Sequence, residues 1–135
     1  MTAIILGVQL LVAAGAALMG MKYLAGPVPA DYHRNIIEKD GGSIEAGHRQ
    51  VLNALYRSMG AGFAGLAVSL ALLACFAGDR VWGQWAILVT GLVSIVPIVV
   101  VTYRTERETG VKTPWRIAAA LLVLLVAAFL LFLAR

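Results

Sequence analysis

Residues 3–21, 51–77, 84–102 and 116–134 form four long apolar runs divided by shorter polar segments, and this pattern limits the possible folds more than any other feature of the chain. A helix rises about 1.5 Å per residue, so each run can cross a hydrocarbon core of about 30 Å. Inside lipid no water is present to bond the backbone, and a helix satisfies its N–H and C=O groups within its own segment. The expectation is an all-α integral membrane four-helix bundle in one domain, 1–135. Composition agrees: 61% of residues are hydrophobic and 13% charged, whereas a soluble domain carries about 25% charge. No Lys or Arg precedes the first run, so it reads as a retained span and not as a cleaved signal peptide.

The first run is charge-free, and Gln9 is its one strongly polar side chain. Ala13 and Ala17, and Ala16 and Gly20, are small residues four apart, the spacing that lets two helix backbones approach closely in lipid. Gly26, Pro27 and Pro29 stop that helix. Residues 31–39, DYHRNIIEK, read as a short interfacial helix with Asp31 near its N-cap and Tyr32, Ile36 and Ile37 on the membrane. After the Asp40-Gly41-Gly42 break, Ser43 is the expected N-cap of the next helix, with Glu45 in its first turn.

Residues 45–77 begin as a charged amphipathic helix and end as a span, fully apolar from about Met59. Gly60, Gly62 and Gly65, with the series Ala61, Gly65, Ser69, give a smooth face against which a neighbour is expected to pack, Gly65 at its centre. The turn 78–83 is short, so the second and third spans form a hairpin. Trp82 and Trp85 suit the aromatic belt at the interface. Pro97 lies inside the third span, removes a donor and predicts a helix kink there. Residues 103–115 read as a charged loop, with Thr113 as N-cap and Pro114 opening the last span. That last span is Leu, Val, Ala and Phe on all sides, with Leu124 expected to face lipid or a loose contact. Cys75 reads as a small apolar filler within a span.

Of the 11 Lys and Arg, only Arg80 and Arg135 lie outside the first and third loops and the adjoining helix ends, leaving nine there. The positive-inside rule then places those loops in the cytoplasm of a bacterial inner membrane, with both termini extracytoplasmic. The net charge of +4 follows this topology and indicates no nucleic-acid partner.

The one polar constellation aimed at the bilayer is Glu45, Arg49, Asn53, Tyr56 and Arg57, which share an arc at helical spacing, with His48 at its edge and Gly60 at its deep end. Arg57 lies about one turn into the span, where a charge needs a partner or a snorkelling route. Cations there suit the head group of an anionic amphiphile, and His48 and Tyr56 suit proton transfer. The plainer alternative is an anchor on anionic lipid. Partners for Arg57 are Glu45 or Glu106, helix-end carbonyls, or a bound anion. Glu45 and His48 have the spacing of half a di-iron motif, but no second half exists, so no metal is expected, and no cofactor motif is present. No ionisable residue lies in the fully apolar spans, which argues against a proton-coupled carrier.

The stretch ALYRSMGAGFAGLAVSLALL, Ala54 to Leu73, resembles the Arg-x-x-Gly-containing second span of DoxX-like four-helix bacterial membrane proteins. That resemblance implies the fold and no activity. The string HRNIIE, His33 to Glu38, is similar to a short core string of the microsomal glutathione transferase-like (MAPEG) family. Members of that family are four-span trimers with a polar cytosolic site. There the string opens a span; here KDGGSIEAG follows it, so no glutathione-binding residue is assigned.

The leading expectation is a protein that works by binding or assembly, as a homo-oligomer or with a larger membrane partner, in contact with membrane lipid. The alternative is a membrane enzyme acting on a lipid or conjugate head group, and the third a small carrier or channel.

Overall fold

The computed structural model describes residues 3–135. It is all helical, with α1 (Ala3–Ala25), α2 (Asp31–Lys39), α3 (Ala46–Ala77), α4 (Val81–Thr109) and α5 (Trp115–Leu133). All but α2 are long and apolar enough to cross a membrane. They pack in the ring order α1, α3, α4, α5, so α1 lies beside α3 and α5, and α3 and α4 are neighbours as a hairpin requires. The short α2 joins the ends of α1 and α3. Lys39 Nζ donates to the Thr109 carbonyl, which brings the first and third loops to one end of the bundle.

The core is a column of small and branched residues, including Val12, Ala13, Leu70, Ala74, Ile87 and Leu125. Outside it the surface stays apolar: Phe76 is 84% exposed and Leu18 67%. Without lipid such a surface has no solvent, which is the physical reason to place the bundle in a membrane. Cys75 lies on this outer surface and fills no space in the core.

The closest helix contact joins α1 and α3 through glycines. A Cβ on Gly60 would lie 2.8 Å from the Leu24 N and 3.0 Å from the Gly20 O, and one on Gly20 would lie 3.0 Å from the Ala64 N. The Ala16–Gly20 pair is buried in this seam, as the spacing predicts. The glycine expected under a neighbour is corrected. Gly65 and Gly62 face outward with open space around them, and the Ala61–Gly65–Ser69 series carries no partner helix within the chain. The two glycines are five residues apart, about 140° around the helix, and only the pairing of α3 with α1 selects Gly60.

Three boundaries also differ from expectation. The third helix starts at Ala46 with Glu45 at its N-cap, so Ser43 caps nothing. The fourth runs on to Thr109, through residues that read as loop. Thr102, Thr105 and Thr109 each donate a hydroxyl hydrogen to a carbonyl one turn back, which satisfies the hydroxyl without strengthening the helix, and Glu106 ties the polar segment to the start of the last helix through the Thr113 N–H and Arg116. Gly110, at φ +69, ends α4 in the left-handed conformation that glycine adopts freely. Finally, Pro114 occupies the N-cap of α5. The Thr113 hydroxyl instead turns back to the Thr102 carbonyl at 2.8 Å, and its N–H donates to Glu106 Oε2 at 2.8 Å. The last span also has an inner face, with Ala118, Leu125, Ala128 and Phe129 buried and Leu124 packed against the core.

At the opposite end, the two buried glutamines meet. Gln9 Nε2 donates to Gln84 Oε1 at 2.7 Å, and Gln84 Nε2 donates to the Gly78 carbonyl at 2.6 Å. A polar clasp therefore links α1 to the α3–α4 turn and α4.

Candidate functional site

Pro27 has no N–H, so the carbonyl of Tyr23, four residues earlier, loses the bond that would continue α1. Arg57 fills that position: its Nη1 donates to the Tyr23 carbonyl at 3.2 Å. Of the partners considered for Arg57, this is a helix-end carbonyl. The guanidinium keeps further donors and is half-buried.

The six residues of the arc are not held together. Arg49, Asn53 and Arg57 line one groove with Gln50 and the Gly26–Val28 bend, a volume of about 500 Å³. Among the described residues, no carboxylate lines it. Glu45 and His48 are exposed and outside this lining. Tyr56 points the other way and is buried.

Tyr56 belongs to a cluster that the arc did not indicate. Its hydroxyl accepts the Ala30 N–H at 3.0 Å and bonds His33 Nδ1. Tyr23 and Tyr32 bond through their hydroxyls at 2.9 Å. The Tyr23 ring stacks on Phe63 at 5.8 Å between centroids and meets Tyr56 edge to face at 5.3 Å. The cluster draws on α1, α2 and α3, so no periodicity within one helix could reveal it. The available signal was compositional: three of the four tyrosines, Tyr23, Tyr32 and Tyr56, flank one polar loop that also holds one of the two histidines.

Burial, and then the charge of Lys22, holds the His33 imidazole below its ordinary value, and burial pushes the Tyr32 hydroxyl up. His33 and Tyr32 are therefore both neutral near pH 7. A depressed histidine contributes stability that is present above the unfolded-state value of about 6.5 and lost as pH falls through the folded-state value. Melting in detergent at pH 5.5 is therefore expected below that at pH 7.5, and His33→Gln is expected to shrink the difference. A pH profile left unchanged by that substitution would refute the assignment.

Compared with known proteins, the chain matches no family model, no curated protein and no solved structure. Function is therefore read from the groove and the cluster themselves.

Proposed function

We propose that this chain is a small polytopic membrane protein that binds the head group of an anionic amphiphile in the Arg49–Asn53–Arg57 groove. The observation that carries the reading is the composition of that groove: two guanidinium side chains with two amides and no acidic side chain among the described residues. Guanidinium forks suit phosphate and carboxylate oxygens, and the amides add neutral donors. Binding is favoured over catalysis because His48 and Tyr56, the candidate proton carriers, stand away from the groove. The distribution of nine cations against two supports placing the groove on the cytoplasmic side of a bacterial inner membrane, with both termini extracytoplasmic. The outward Ala61–Gly65–Ser69 face supports assembly as a homo-oligomer or with a larger membrane partner.

The test is retention of phosphatidylglycerol by detergent-purified protein, read by native mass spectrometry. The Arg49→Gln/Arg57→Gln double variant is expected to retain about tenfold less than the wild type, which is about 1.4 kcal/mol. Arg57→Lys is expected to fall between, because an ammonium keeps the charge and loses the fork. A Lys variant equal to the wild type would overturn the pocket and leave a lipid anchor. Undiminished retention by the double variant would overturn both.

A further inference from the structure

A second opening in the bundle has a different chemistry from the arginine groove. A cleft of about 330 Å³ lies between the tyrosine cluster and α4, bounded by Tyr23, Tyr32 and His33 on one side and by Thr102, Thr105 and Thr113 on the other. Its floor is Phe63 and Ile98. The same two residues border a further opening of about 320 Å³ between α3 and α4, whose rim is Met59, Gly62 and Ser94. Tyr23, Phe63, Ile98 and Thr102 also line an apolar interior space of about 50 Å³ between the four long helices. The three spaces therefore adjoin along one path. It has a polar mouth at the loop end and an exit on the apolar flank of the bundle, where Met59 is exposed.

Donors and acceptors at the mouth can be assigned. One of the paired Tyr23 and Tyr32 hydroxyls donates to the other, which leaves one hydroxyl hydrogen over. Tyr56 accepts from Ala30 and is bonded to His33 Nδ1, so His33 Nε2 faces outward from that pair as a donor or an acceptor according to the imidazole tautomer. Across the cleft, the hydrogens of Thr102, Thr105 and Thr113 are spent on backbone carbonyls, so their oxygens present lone pairs. Among the described residues, no charged side chain lines the cleft. An ionic head group would lose its hydration there with no countercharge in return. A head with hydroxyl or carbonyl oxygens, by contrast, finds both donors and acceptors.

We propose that this cleft binds an uncharged amphiphile, its oxygen-bearing head between His33, Tyr32 and Thr105 and its chain passing Phe63 and Ile98 to leave between α3 and α4. The site is separate from the arginine groove, and its ligand enters sideways from the membrane.

The probe is monoolein, an uncharged acyl glycerol, offered to the full chain in detergent and measured by native mass spectrometry. Retention by the wild type is expected. Ser94→Phe and Met59→Trp add bulk at the lateral opening and are expected to lower retention at least tenfold, with melting temperatures near the wild type. Thr105→Val keeps the side-chain shape, removes an acceptor oxygen at the mouth, and is expected to lower retention about fivefold. The Arg49→Gln/Arg57→Gln double variant is expected to retain monoolein fully, which separates this site from the groove. Undiminished retention in both Ser94→Phe and Met59→Trp would overturn the proposal. So would loss of monoolein in the arginine variant, which would place the probe in the groove, or tighter retention of phosphatidylglycerol with the same sensitivity to Ser94→Phe.

Discussion

Gly60→Leu is expected to separate α1 from α3 and to lower the stability of the bundle by about 3 kcal/mol, at the upper end for overpacking a tight contact. The reason is the identity of the neighbours. A Cβ at position 60 meets the backbone N of Leu24 and the backbone O of Gly20, and neither can rotate away as a side-chain terminus can. The helices must move apart, and the packing of Val12, Ala13 and Ala16 beside the seam loosens with them. Gly65→Leu is the control. Its Cβ meets nothing within 4 Å, so melting of the isolated chain should stay near the wild type. Thermal unfolding in detergent, with cysteine cross-linking between α1 and α3, reads both effects. Equal melting shifts for the two variants would contradict the α1–α3 seam.

Gln84→Leu is expected to cost about 2–4 kcal/mol, from buried polar groups left without partners at about 1–3 kcal/mol each. The clasp is buried: Gln9 is 2% exposed and Gln84 1%. Removing the Gln84 amide strands Gln9 Nε2 and the Gly78 carbonyl together. Gln9 Oε1 already lacks a partner within the described residues, so a stranded Gln9 would be wholly unsatisfied. Gln9→Leu/Gln84→Leu is therefore expected to recover part of the loss, since the double change removes the stranded Gln9 amide along with Gln84. The two single costs should exceed the double cost, and a double-mutant cycle in detergent measures the difference. Strict additivity would show that the glutamines do not depend on one another.

The presence, number and type of the long helices were legible because hydrocarbon forces a backbone to bond to itself, and apolar runs of this length meet that demand. The arc was legible in part. Arg49, Asn53 and Arg57 do share a groove, since helical spacing alone puts them on one side of α3. Tyr56 shares their arc on a projection, yet it turns to His33 and Ala30, because the chain reversal at Gly26–Ala30 places α2 against that flank. The charged segment 103–109 read as loop because charge normally ends a span; its helical form comes with contacts made across the following turn, where Glu106 bonds the Thr113 N–H and Arg116.

The sequence by itself determined where the chain crosses and which ends are polar. It could not determine which faces of those helices meet. In water, a helix declares its inner face by the contrast between apolar and polar sides. In lipid the outside is as apolar as the core, and that contrast vanishes. Leu, Val and Gly then look alike whether they face a neighbour or an acyl chain. The choice between Gly60 and Gly65, the pairing of Gln9 with Gln84 and the convergence of Tyr23, Tyr32, His33 and Tyr56 depend on close packing and hydrogen bonds between segments distant in sequence. Only the assembled bundle brings those segments within reach of each other.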